Sequence, residues 1–253
     1  MKEKINKIFP LKWNLYEILL MTICVVFTIV FAVVFKSSVF DCLLTTLSIL
    51  CAILFTKGHY SGYVVGLINI IFYTIVELQS EFYGELFVNW CLLAPFYIYG
   101  FVSWLRHQDK SNQTVIIKKK VLPIEYIVLV CSQIVLCVPY YFILQALSTP
   151  HLIVSTISVG VSVVAVYLSA RRSEYCFVGY IINDLVLIVL WTMQAVLVDI
   201  SYLTVLLSPV FLLFNDIYGV FSWKSLKKKQ KHLDDFGNQT TEVNYENWRN
   251  WNW

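Results

Sequence analysis

Charge is what this 253-residue chain is short of. Asp, Glu, Lys and Arg make up 14% of it, where a soluble domain carries about 25%. The remainder is 58% hydrophobic, more than a buried core absorbs, because a soluble sphere of this size still needs a polar surface. That excludes a soluble globular domain and leaves the lipid bilayer as the solvent. Net charge is also small, +3 at pH 7, so nothing points to a nucleic-acid partner. No Cys-x-x-Cys pair occurs among the seven cysteines, Cys24, Cys42, Cys51, Cys91, Cys131, Cys137 and Cys176. All lie in apolar stretches and read as small buried hydrophobes rather than metal or redox ligands. The four histidines, His59, His107, His151 and His232, fall in loops or at interfaces. With no His–carboxylate or metal-spaced cluster inside an apolar run, an intramembrane enzyme is not expected. No cofactor and no metal are expected either.

What is present is a succession of long apolar runs. A membrane helix needs about 20 mostly apolar residues, and the chain offers eight such segments, near 15–35, 39–56, 61–79, 83–105, 122–146, 151–169, 175–197 and 201–223. The first is too long for a signal peptide and lacks a small-residue cleavage site, so it is read as a retained span. Positive charge sets the orientation, since cytoplasmic loops keep Lys and Arg. With the N-terminus inside, eighteen Lys and Arg fall on the cytoplasmic side and only Lys36 outside. Both termini are thereby expected in the cytoplasm. The tail opens with the basic run Lys224 to Lys231, suited to anionic headgroups, and its aromatic end, Trp248 to Trp253, is expected to be disordered.

Two sequence echoes indicate duplication. Tyr63-Val-Val-Gly66-Leu-Ile-Asn69 near the start of the third span is answered by Phe177-Val-Gly179-Tyr180-Ile-Ile-Asn183 near the start of the seventh. Tyr99-Gly100-x-x-Ser103-Trp104 closes the fourth span, and Tyr218-Gly219-x-x-Ser222-Trp223 closes the eighth. The offsets are 114 and 119 residues. Three spans are an odd number, so two copies share one orientation only if a further helix separates them, and the fifth span supplies it. The layout predicted is an extra first helix (1–36), a three-helix unit (37–105), a cytoplasmic loop and linker helix (106–149), a second three-helix unit (150–224) and a tail (225–253). Two like-oriented bundles around a pseudo-twofold axis enclose a central cavity and can rock to give alternating access.

Polar side chains at membrane depth are costly and face a cavity or a partner. Asn69, Asn89, Gln133, Asn183, Asp184, Gln194, Asn215 and Asp216 all fall inside the predicted spans. Asp184 stands about nine residues, or about 13 Å, from the cytoplasmic end of its helix. Gly62, Gly66, Asn69, Tyr73 and Glu77 share one helical face of the third span, and Tyr180, Asn183, Leu187, Trp191 and Gln194 share one of the seventh. Amides can bond hydroxyl and carboxamide groups, and the rings can stack on a flat ring or attract a cation. The alternative role for each amide is to bridge helices, at about 1 kcal/mol.

With Asn69, Asn89, the two Tyr-Gly-x-x-x-Trp ends, Glu174 and the Asn183-Asp184 pair in view, the chain resembles the PnuC family of bacterial vitamin transporters from about Ser38 to Lys224. The resemblance implies a SWEET-like all-α integral membrane fold of about eight transmembrane helices, one N-terminal helix plus a 3+1+3 parallel repeat. It implies facilitated diffusion of nicotinamide riboside across the bacterial inner membrane, made one-way by a cytoplasmic kinase. Where carriers of nicotinamide riboside have a Trp-x-x-Trp pair, this chain has Phe177 and Tyr180. Thiamine, deoxynucleosides, or a non-transporting receptor role stay open, and self-association into a homo-oligomer is compatible with the sequence. The solute contacts expected are Asn69, Tyr73 and Asn89 in the first unit and Gln133 on the linker helix. In the second unit they are Phe177, Tyr180, Asn183, Asp184, Trp191, Asn215 and Tyr218.

Overall fold

The structure, a computed structural model, describes residues 13–109, 114–117 and 123–250, with side chains described as far as Lys231. The N-terminal basic segment, Lys118 to Lys120 and Trp251 to Trp253 lie outside the described residues. Among the described residues, eight helices are long and apolar enough to cross a membrane. They are α1 (Leu15–Phe35), α2 (Val39–Thr56), α3 (Ser61–Gln79), α4, α5 (Pro123–Ala146), α6 (Leu152–Ala170), α7 (Cys176–Leu197) and α8 (Leu203–Asn250). α4 is composite, α-helical over Tyr83–Val88, π-helical over Asn89–Leu93 and α-helical again over Ala94–Arg106. A single antiparallel bridge, Gln108 to Val115, is the only extended pairing among the described residues.

Helix ends follow from local chemistry. Asn14 and Glu17 form a capping box at the start of α1, and Ser38 and Asp41 form another at the start of α2, each satisfying backbone N–H groups with no partner inside the helix. At the end of α2, Gly58 (φ +67°) enters the left-handed region, the His59 N–H bonds the Leu54 carbonyl and the Gly58 N–H that of Phe55. This is a Schellman motif. The same pair of bonds ends α6, where Arg172 (φ +60°) sits left-handed and Ser173 and Arg172 bond Leu168 and Ser169. Gly58 and Arg172 are 114 residues apart, the offset of the asparagine echo. Before α8, the exposed Asp199 carboxylate accepts a hydrogen bond from the Ser201 N–H (2.7 Å), which holds it below the usual carboxylate range.

The π turn of α4 has a visible cause. Pro95 has no N–H to give the carbonyl four residues back, and the helix widens so that the Ala94 N–H reaches the Asn89 carbonyl instead. α1 packs on α2 and α8 through Leu20, Cys24, Ile49, Ile53 and Phe211. Its start is tied down by the buried ion pair of Glu17 with Lys57 (2.5 Å). α5 leans on α6 and shows most of its apolar surface outward, Ile127, Val128, Ile134 and Val135 among others. α2, α3, α4, α6, α7 and α8 build the centre.

The basic side chains Lys57, Arg106, Arg171 and Arg172 collect at one end, which we call the basic end. There Val115 and Ile117, both buried, lie across the bundle. The Val115 N–H donates to the Gly58 carbonyl (2.8 Å), and Gln230 on the extension of α8 donates to the Val115 carbonyl and accepts from the Ile117 N–H. Lys227 pairs with Glu174 in front of α7 (2.5 Å). The tail is helical backbone as far as Asn250, which takes in the start of the aromatic end expected to be disordered. No proline interrupts residues 224–250, and their lysine-rich start favours helix.

Candidate solute-binding cavity

Between the six central helices lies a cavity of about 170 Å³, some ten times the space a single water needs. α2 contributes Ser48, Cys51, Ala52 and Phe55; α3 contributes Gly66, Asn69, Ile70, Tyr73 and Glu77; α4 contributes Glu85, Val88, Asn89, Leu93 and Tyr97. From the other side come Val159, Ser162 and Val166 of α6, Phe177, Tyr180, Asn183, Asp184 and Leu187 of α7, and Ser208, Pro209, Leu212 and Asp216 of α8. No residue of α1 or α5 lines it.

Two walls carry matched pairs. The Asn69 side-chain amide donates to Ser48 Oγ (2.8 Å), and Ser162 Oγ donates to Asn183 Oδ1 (2.7 Å). Both asparagines and both serines are 114 residues apart. Each pair leaves polar valence toward the cavity, and Asn69 Oδ1 has no hydrogen-bond partner. A serine clamps each amide in one orientation, so the amide is presented rather than left to rotate.

Elsewhere the walls differ. Asp184 of α7 and Asp216 of α8 sit against each other, and Asn215 donates both to Asp216 and to Thr56 Oγ1 (3.0 Å each). Ile70 and Tyr97 stand at the corresponding offsets, and α3 and α4 carry their acids elsewhere. Glu77 Oε1 accepts from the Asn89 amide (2.6 Å), and Glu85 Oε1 accepts from Ser158 Oγ (2.8 Å). The π turn aims Asn89 at Glu77, and π turns recur at functional sites for such local re-aiming. Four carboxyl groups therefore line one cavity, and no Lys, Arg or His is among its lining residues.

Aromatic rings occupy the basic side of the cavity. Phe55 stacks on Tyr180 (centroids 6.4 Å, planes 18° apart), and Tyr97 meets Tyr63 edge-on. Beyond them Tyr63, Trp104, Phe177 and Trp223 form a buried cluster. Gly100 and Gly219 make it fit: a methyl group at Gly100 would collide with the Tyr63 ring, and one at Gly219 with Phe177. At the opposite end Phe82, Trp191, Leu190 and Val205 are packed together, Phe82 edge-on to Trp191 (5.5 Å, 90°).

Seven of the residues expected from the sequence reach the cavity: Asn69, Tyr73, Asn89, Phe177, Tyr180, Asn183 and Asp184. Four lie off its wall. Gln133 lies on α5, which packs outside the central six helices. Trp191 continues the α7 stripe past the cavity into the Phe82 cluster. Asn215 points to Thr56 and steadies Asp216. Tyr218 docks α1, stacking near Tyr16 (4.6 Å) and accepting from the Asn14 amide (3.1 Å). Ser48, Glu77, Glu85, Tyr97, Ser162 and Asp216 line the cavity without having been picked as contacts. For Glu77 a signal existed, since it continues the α3 stripe one turn beyond Tyr73.

The sequence profile of the family described as nicotinamide mononucleotide transporter matches residues 38–225. The chain belongs to this family. Among relatives, the nicotinamide riboside transporter PnuC of Neisseria mucosa is 28% identical over 184 residues, 72% of this chain and 70% of that protein. A crystal structure of the vitamin B3 transporter PnuC superposes with a TM-score of 0.76 at 25% identity, covering 88% of this chain and 96% of the other. The family is one of multi-pass membrane transporters rather than enzymes. The matched span, 38–225, begins at the cap of α2 and ends just past Trp223, so α1 and the α8 extension fall outside it.

Proposed function

We propose that the protein carries nicotinamide riboside across the bacterial inner membrane by facilitated diffusion, with both termini in the cytoplasm. The observation that carries this reading is the cavity at the centre of the six helices, with clamped amides, aromatic rings and carboxylates on its walls and nothing from α1 or α5. A riboside offers hydroxyl and carboxamide groups to Asn69 and Asn183, and the aromatic side chains on the cavity wall, Tyr73 among them, suit its flat pyridinium ring. Residues 37–105 and 150–224 are read as two parallel three-helix units joined by α5 and rocking about the cavity. The matched Ser48–Asn69 and Ser162–Asn183 pairs support that reading, as do the matched helix ends at Gly58 and Arg172. Phosphorylation by a cytoplasmic kinase would trap the solute inside.

Uptake of labelled nicotinamide riboside into proteoliposomes tests this directly, with thiamine and deoxynucleosides as competitors. Saturable uptake that unlabelled nicotinamide riboside abolishes is the expected result. Phe177 and Tyr180 stand where indoles would give a broader stacking surface, so thiamine is the competitor to watch. Flux of thiamine or a deoxynucleoside without flux of nicotinamide riboside would reassign the substrate. Absence of flux for all of them would point to a receptor.

A further inference from the structure

The four cavity carboxyls fall into two pairs at different depths. Ile70 holds the position 114 residues before Asp184, and Glu77 stands seven residues, about 10 Å, further along α3 from the basic end. Glu85 is within electrostatic reach of Glu77, and the two come from α3 and α4 near the far end of the cavity. Each is held by a neutral donor, Glu77 by Asn89 and Glu85 by Ser158 of the opposing unit. Glu77 is 1% exposed, lines the cavity, and its Oε2 has no hydrogen-bond partner. Tyr73, also on the cavity wall, stands one helical turn before Glu77 on the same face of α3.

We propose that Glu77 and Glu85 form a charge-reading station for the positively charged ring of the solute, at the end of the cavity away from the basic end and separate from the Asp184–Asp216 pair. A carboxylate taken out of water needs an opposite charge nearby, and none of the cavity residues supplies one. A mobile organic cation does so when it binds, with the Tyr73 ring available to its face. Asn89 and Ser158 fix one oxygen of each acid, which leaves the other oxygens for the ligand. Glu85 is bonded across to α6, so a cation drawn between the two acids also engages both units. The station deepens the proposed transport of nicotinamide riboside and rests on that reading for its choice of ligand.

The test compares a cation with its neutral twin. Binding of nicotinamide riboside and of its reduced, uncharged dihydro form is measured on the full-length protein in detergent, with thiamine as a second ring cation. The wild type should favour the cation by about tenfold or more, the scale of one charge-assisted contact. Glu77→Gln and Glu85→Gln should each reduce that preference several-fold while leaving the neutral form's affinity in place. Asn69→Ala should weaken both forms together. Equal binding of the two forms by the wild type would overturn the station, because the carboxyls would then be acting as neutral hydrogen-bonding groups. So would parallel loss of both ligands in the glutamine variants. The wild-type comparison decides the matter even where a variant fails to fold. Loss of nicotinamide riboside binding with carboxylate-dependent thiamine binding retained would overturn the proposed substrate and leave the station standing. Binding of neither cation overturns the station.

Discussion

Trp104 and Trp223 face each other at the basic end, ring centroids 5.5 Å apart, and each gives its indole N–H to the other half of the molecule. Trp104 donates to the Ser169 carbonyl at the end of α6 (2.9 Å), and Trp223 to the Phe55 carbonyl at the end of α2 (3.1 Å). Donors 119 residues apart thus meet acceptors 114 residues apart. The terminal Trp of each Tyr-Gly-x-x-x-Trp sequence is an exchanged clasp, and both indoles are fully buried.

Removing either clasp should therefore cost similar amounts. Trp104→Phe and Trp223→Phe each keep most of the ring and remove one hydrogen bond, while the Ser169 and Phe55 carbonyls keep their bonds from the Arg172 and Gly58 N–H groups, a loss of about 0.5–1.5 kcal/mol. Thermal unfolding in detergent should show two comparable drops in midpoint. A large drop for one and none for the other would contradict the exchange.

Gly100→Ala and Gly219→Ala test the close approach beside those clasps. Each added methyl meets an aromatic ring, Tyr63 or Phe177, and overpacking of this kind costs about 1–3 kcal/mol. Trimming Phe177 to Leu in the Gly219→Ala background should restore part of the stability. It should not help Gly100→Ala, whose obstacle is Tyr63.

Asn183→Ala and Asp184→Asn alter the cavity wall without touching the clasps. Uptake should fall about tenfold or more in each, the scale of a hydrogen bond to a charged group, while the folded fraction judged by size-exclusion chromatography stays unchanged. Undiminished uptake in both would remove α7 from the solute path.

Glu81 is an exposed residue held left-handed after α3 (φ +61°). A side chain there costs roughly 1–2 kcal/mol relative to glycine, so Glu81→Gly should raise the unfolding midpoint and leave transport alone. The gain would be partly offset by the greater freedom of glycine in the unfolded chain.

Gln230→Ala should loosen the strap at the basic end. It removes the side chain that holds both the Val115 carbonyl and the Ile117 N–H. Amide hydrogen exchange at Val115 and Ile117 should accelerate, with the protection of α3 and α7 unchanged. Equal acceleration in α3 would mean the strap is part of the core instead.

Much of this protein was legible before any coordinates. In hydrocarbon every backbone polar group must be satisfied within its own helix, so the lengths of the apolar runs translated almost residue for residue into α1, α2 and α3. The charged and turn-forming residues between the runs marked where α1, α2 and α3 stop, and the Gly and Trp echoes marked matched places in the packing. Which polar residues face the cavity was decided only by the tertiary structure. Lipid-facing and helix-facing surfaces are both apolar here, so helical spacing yields a stripe but not the depth at which the stripe leaves the cavity. Tyr73 and Trp191 sit on equally good stripes, yet one lines the cavity and the other packs on Phe82. Gln133 is as polar as Asn69, but α5 stands outside the ring of six helices that the packing closes. The approach of Glu77 to Asn89, and of Asp184 to Asp216, depends on how neighbouring helices pack and, for Asn89, on the π turn. No spacing along one chain segment records a distance between two helices.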